Sequence, residues 1–191
     1  MIRRSKVYKP LILKIVHIQL INYQVLSNIV MVELQKLEQK IGEVLGLEKA
    51  AQSAVEELSA KGLLNVNGMV NKLQNMKKQA NNHQSKLEEL IPALESEGLS
   101  SGNIQAAAQE TEQKATEMMK TYLGEDPDSS EAIEFLCLAE GGEVTHYEVL
   151  DAMTKRVKNR KLASKVKSIL AEEKRHLQLC IRLAKQTATS S

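Results

Sequence analysis

In LAEGGEVTHYEVL (residues 138–150) and ILAEEKRHLQL (residues 169–179), apolar side chains recur at intervals of three and four. That spacing lines one face of an α-helix. At about 100° per residue, the centre of the first apolar face is held by Glu143, in line with Leu136, Tyr147 and Leu150 and with Glu140 close by. The centre of the second is Glu173, flanked by Val166, Ile169, Leu170, Leu177 and Cys180. An earlier stripe puts Glu48 at its own centre, one turn from Val44, Ala51 and Val55. Removing an unpaired carboxylate from water costs several kcal/mol, so Glu is almost never fully buried without compensation. Metal ions are the usual compensation where several carboxylates converge.

The rest of the chain extends the helical reading. Of 191 residues only nine are Gly and three Pro, and there is no Trp and a single Phe. So few breakers predict long helices, whereas a β-sandwich of this size needs more aromatic and turn residues. Hydrophobic content of 42% and charged content of 26% exclude a disordered tail, a collagen and a polytopic membrane protein. One stripe runs through Leu34, Leu37, Ile41, Val44, Ala51, Val55 and Leu58 and ends near Gly62. Asn65–Gly68 opens a second helix carrying Met69, Leu73, Met76, Ala80, Leu87, Ile91 and Leu94, and ESEGLSSGN breaks it. A more polar helix is predicted over 104–123. Ser129 or Ser130 then caps a fourth that runs to about Val157, with Glu131 and Glu134 in its first turn, where they favour the helix dipole. The last helix covers 161–185, after a boundary at Asn159. Two hairpins of long helices separated by a helix long enough to traverse them predict an all-α four-helix bundle with a long helical crossover. A simple five-helix bundle and an elongated coiled coil are the alternatives, though the stripes are too interrupted for sustained heptads.

The first 32 residues differ from this body. The formal net charge is +2, but residues 1–32 hold five of the 26 bases (Arg3, Arg4, Lys6, Lys9, Lys14) and none of the 24 acids, leaving the rest of the chain at −3. Lys14, His17, Gln19, Asn22, Gln24 and Asn28 interrupt its apolar run, which therefore falls short of the roughly 20 apolar residues of a membrane span. The abrupt change suggests translation from Met31, and the mass of natively expressed protein decides that. The expected organisation is an extension over 1–32, a bundle over 33–187 and a tail over 188–191.

The histidines sharpen the reading of the stripes. His146 stands three residues after Glu143 and His176 three after Glu173, a spacing that places both side chains on one side of a helix and within reach of one ion. His83 occupies the matching slot on the second helix, but the residue three before it is Ala80. The set, together with LAEGGEVTHYEVL and ILAEEKRHLQL, resembles the ferritin-like di-iron carboxylate proteins of rubrerythrin type, in which two helices give a Glu each and two give Glu-x-x-His. The match is best over 131–187 and weaker over 33–95. The resemblance implies a ferritin-like bundle with Glu48, His83, Glu143, Glu173 and His176 as ligands and His146 beside them. Ala80 stands where the pattern calls for a bridging Glu, and Gln79 and Asn82 are weak neutral substitutes.

Carboxylate and imidazole ligands suit iron, manganese or zinc. The resemblance implies one or two iron ions, dioxygen or peroxide as the reacting partner, ferroxidase or peroxidase chemistry, and a homodimer. Tyr147 is the candidate catalytic group, against a role as core filler with its hydroxyl at the rim. There is no CxxC pair, so the rubredoxin-like centre of full-length rubrerythrins is missing. Cys137 and Cys180, both among apolar residues, read as structural thiols of a cytoplasmic protein. The alternative function is a metal-free helical interaction module that uses the basic corner at 155–167. That corner has no aromatic residue for base stacking, so nucleic acid is not an expected partner, nor is a membrane unless residues 1–32 anchor the chain.

Overall fold

The computed structural model describes residues 8–64, 68–157 and 159–189. Within them every regular element is an α-helix: α1 (Tyr8–Ala60), α2 (Met69–Glu88), α3 (Ile91–Ser96), α4 (Ser101–Leu123), α5 (Ser129–Val157) and α6 (Arg160–Thr189). The chain divides into a unit of residues 1–36 and a unit of residues 37–191. In the first, Ile29, Val30, Met31 and Val32 are exposed, and Glu33 pairs with Lys36 at 3.4 Å. No described helix is long and apolar enough to cross a membrane. His17 and the other interrupting side chains before Asn28, Gln24 apart, lie outside the described side chains, as do Ser190 and Ser191 of the tail.

In the second unit, local chemistry sets the helix ends. The helix expected over 69–94 is two helices, because Pro92 lacks the N–H that would bond back into α2 and restarts the chain as the first turn of α3. Ser100 caps α4 by accepting from the Asn103 N–H at 3.2 Å, which starts that helix earlier than expected. The cap of α5 is Asp128 rather than Ser129 or Ser130. Its Oδ1 accepts from Ser130 N at 2.7 Å and Glu131 N at 2.9 Å, while Glu131 reaches back to Asp128 N at 2.9 Å. That reciprocal box satisfies three N–H groups, those of Asp128, Ser130 and Glu131, one more than the two of a serine capping box. Asn159 caps α6 through Leu162 N at 2.8 Å, and α6 continues to Thr189, beyond the expected end.

α1 and α4 cross closely. A Cβ on Gly42 would lie 2.5 Å from the Ile104 carbonyl oxygen, and one on Gly46 would strike the Ala108 carbonyl, so both positions are Gly because backbone meets backbone there. Just before this crossing Glu38, buried in α1, accepts from Ser100 N and Asn103 Nδ2, both at 2.7 Å. α5 and α6 pack along their lengths, and α2 lies on α6.

Buried apolar side chains form two blocks along the helices. One contains Val55, Leu58, Leu73, Met76, Ile133, Leu136 and Leu183. The other includes Leu37, Ile41, Leu94, Leu150, Val166 and Ile169. Between them in sequence, on α1, α2, α5 and α6 alike, the buried residues turn polar: Glu48, His83, Glu140, Glu143, Glu173 and His176.

Candidate metal centre

Each of these six side chains sits at mid-helix, where no capping donor is available, because the backbone N–H groups around it are spent on the helix itself. They bond instead to one another. The Nδ1 of His83 lies 2.6 Å from Glu173 Oε1 and 3.3 Å from Glu48 Oε1. The Nδ1 of His176 lies 3.2 Å from Glu173 Oε2 and 3.8 Å from Glu140 Oε2. The two imidazoles stack with centroids 5.9 Å apart. Two groups of ligand atoms result, Glu48–His83–Glu173 and Glu140–Glu173–His176, each with its atoms mutually within 4.8 Å. Glu173 belongs to both, one oxygen turned to each histidine. Glu143, 2% exposed, joins the layer from α5, where the Glu173 charge acts on it.

The outward nitrogens of the histidines are held as well. Nε2 of His83 donates to Glu172 Oε2 at 3.1 Å, and Nε2 of His176 bonds Gln79 Oε1 at 2.9 Å. Fixing one ring nitrogen in this way aims the other, a usual arrangement around metal-binding histidines. Gln79 therefore backs a histidine rather than replacing the Glu missing at Ala80, and Asn82 points to solvent. The Tyr147 hydroxyl is inside, not at the rim: it is fully buried and donates to Glu48 Oε1 at 2.5 Å.

His146 does not join the layer. Adjacent residues are about 100° apart around a helix, and with Tyr147 facing inward His146 falls on the flank of α5. There its Nδ1 lies 3.2 Å from Glu43 Oε2 and 3.3 Å from Lys40 Nζ. It edges a mostly apolar cavity of about 140 Å³ between α1, α4 and α5. Burial and the Lys40 ammonium both lower its pKa. Glu140, one turn before Glu143, takes the place at the layer that the three-residue spacing assigns to His146. The same spacing, read backwards from Glu143, finds it.

The electrostatics of the layer are unbalanced. Burial and the Glu173 charge push Glu140 and Glu143 well above the usual carboxylate range, and burial lifts Glu48 to about 7. Burial disfavours the charged form of His83, but Glu173 and Glu48 outweigh it and raise the imidazole to about 10. Glu173 is the exception: burial opposes its ionisation, yet His176 and His83 hold it down at about 2. Burial and the Glu48 charge put the Tyr147 phenol well above its ordinary value. Even so the hydrogen bonding is incomplete. Among the described residues, the buried side-chain atoms without a hydrogen-bond partner are Glu48 Oε2, His83 Nδ1, Glu140 Oε2, Glu173 Oε1 and Glu43 Oε2. The last is ion-paired to Lys40 at the flank; the other four all belong to this layer. His83 Nδ1 and Glu173 Oε1 are close without a well-directed hydrogen bond between them. They face each other as an ion pair at 2.6 Å, whereas Glu48 Oε2 and Glu140 Oε2 have no hydrogen-bond partner. Buried polar atoms are nearly always paired, so two unsatisfied carboxylate oxygens in one layer set it apart from an ordinary core.

The other sequence features have simpler placements. In the basic corner, Lys155 pairs with Asp151 at 2.6 Å, and Arg156, Arg160, Lys161 and Lys167 are exposed to solvent; Lys158 lies outside the described residues. No family model matches this chain, and no curated protein or solved structure matches it.

Proposed function

We propose that the chain is a ferritin-like four-helix protein whose buried layer binds iron and supports ferroxidase or peroxide-detoxifying chemistry. The observation that carries this reading is the convergence of buried Glu and His ligand atoms from α1, α2, α5 and α6 into two groups that share Glu173, with Glu48 Oε2 and Glu140 Oε2 left without a hydrogen-bond partner. The donor set fits a divalent transition metal: hard carboxylate oxygens with two neutral-capable imidazoles suit iron, manganese or zinc. Four carboxylates balance two divalent cations, and the two ligand groups sharing Glu173 supply one place for each. Glu140 offsets the carboxylate missing at Ala80, although from a different helix.

When bound, iron supplies the redox chemistry towards dioxygen or peroxide. The chain's own residues do the rest. Glu173 bridges the two groups. Glu172 and Gln79 fix the rings of His83 and His176 so that Nδ1 of each faces inward. Tyr147 holds Glu48 by its hydroxyl and keeps a proton at the layer. The apolar blocks on either side exclude water, which strengthens each ligand interaction. A homodimer and a cytoplasmic setting accompany this reading. The test is the rate of Fe(II) oxidation by air or by peroxide, with Glu173→Ala and His176→Ala as controls. Wild-type protein accelerates oxidation and both variants lose the acceleration; a wild type no faster than buffer overturns the activity.

A further inference from the structure

The flank of α5 that carries His146 borders the cavity between α1, α4 and α5. Buried Ala54, Met119 and Phe135 form its inner wall, and Phe135 is the only Phe in the chain. Met118 and Leu138, both half-exposed, stand at its open side. Its volume of about 140 Å³ is close to that of an apolar protein cavity, about 150 Å³, that stays dry and takes up benzene. The glycines distinguish a kept space from loose packing. Gly42 and Gly46 lack side chains because a Cβ would strike the backbone of α4. Gly142 lines the cavity from the interior of α5, where glycine is disfavoured against alanine, yet a Cβ there would meet nothing within 4 Å. No neighbouring protein atom explains the missing side chain; the space it leaves open does.

We propose that this cavity binds a small, neutral, single-ring aromatic molecule. The charges around it select a neutral ligand. Glu57 on its wall is paired with Lys61 at 2.7 Å, and Lys40 and Glu43, which flank His146, are paired with each other. Neither sign of charge is left over for a ligand ion. The wall also favours a ring over an alkyl chain. Phe135 offers an aromatic partner, and the thioethers of Met118 and Met119 make favourable contacts with ring edges. A rigid ring, unlike a chain, loses no internal rotations on entry. Once bound, it covers Met118 and Leu138, whose apolar surface otherwise faces water. The site is separate from the metal layer: Glu140 and Glu143 belong to that layer, whereas Ala139, Gly142 and His146 of the same helix line the cavity. Binding therefore needs no metal.

The experiment is calorimetric titration of the full-length protein with toluene, with thermal melts in parallel. Saturable uptake of a single toluene per chain and a raised melting temperature are expected. Gly142→Leu puts an isobutyl group into the cavity and weakens toluene binding at least about 10-fold by occupying the ligand's place. That variant melts no lower than wild type, because the new side chain enters open apolar space. Gly142→Ala, which favours the helix, shows a smaller loss in the same direction. Gly141→Ala is the control: its Cβ also meets nothing within 4 Å but lies off the cavity wall, so binding is unchanged. Benzylammonium, a similar ring bearing a positive charge, binds at least about 100-fold more weakly, because its charge is desolvated without a partner. Glu173→Ala binds toluene as wild type does, which keeps this site distinct from the metal layer. Absence of saturable binding to wild type, unchanged affinity in both Gly142 variants, equal affinity for benzylammonium, or loss of binding in folded Glu173→Ala would each overturn the proposal.

Discussion

Two buried carboxylates stand on the same helix, ten residues apart in sequence, and are treated in opposite ways. Glu38 meets α4 at its cap, where Ser100 N and Asn103 Nδ2 donate to its two oxygens. Glu48, deeper and at mid-helix, receives the Tyr147 hydroxyl on one oxygen and leaves the other without a hydrogen-bond partner. A helix end offers free N–H groups and a helix middle does not. A carboxylate can therefore be structural at the first place, whereas at the second it needs other carboxylates' protons, a histidine or a cation. The contrast separates the acid that holds the fold from those that make the site.

Removing the structural acid gives the largest expected effect on stability. Glu38→Ala strands the Ser100 N–H and the Asn103 amide at the start of α4, and two hydrogen bonds to a charged acceptor are worth about 3 kcal/mol together. Urea unfolding should show that loss while bound metal per folded chain stays the same. A variant that loses metal but keeps its stability would reverse the two assignments.

The site makes the opposite demand on pH. The folded-state pKa of Glu48, at about 7, exceeds its ordinary 4.5, and that of His83, at about 10, exceeds 6.5. In both cases the folded chain holds more protons than the unfolded one. Stability of the metal-free protein therefore falls as pH rises, from 4.5 to about 7 through Glu48 and from 6.5 towards 10 through His83. Glu173, at about 2, acts in the reverse sense and removes stability only as pH falls below 4.5. Metal competes with the protons on Glu48 and His83, so its binding strengthens as pH rises. Thermal melts at pH 5.5 and 7.5 should rank the metal-free protein more stable at the lower pH, with added metal raising the melting temperature more at the higher pH. A flat profile in both states would remove the electrostatic basis of the contrast.

The smallest effect sharpens the site's outer layer. Glu172→Gln keeps an acceptor for Nε2 of His83 but removes its charge, and loss of such support typically lowers metal affinity by about 10-fold. A titration with Fe(II) or Zn(II) measures it, with little expected change in unfolding. A larger loss of stability than of affinity would make Glu172 a fold residue.

Much of this was legible in the sequence, for an identifiable reason. A charged residue in the centre of a 3.6-residue apolar stripe is visible without coordinates, and it placed Glu48, Glu143 and Glu173 in the interior, where the structure has them. His83 and His176 follow from the same phase. Spacing alone failed at His146, because a residue three along a helix shares a side but not a direction, and Tyr147 already occupies the inward line. Glu140 was adjacent to the pattern yet unassigned: α5 turns two acids inward one turn apart, and the stripe does not rank them. The break at Pro92 and the cap at Asp128 were missed where local backbone chemistry overrode helical periodicity.

The most direct test of the central claim is metal analysis of protein purified without chelator or affinity-tag metal, alongside Glu173→Ala. Loss of a residue shared by both ligand groups should take the content from stoichiometric iron, manganese or zinc to background. A metal-free wild type, no less stable than one supplied with metal, would contradict it.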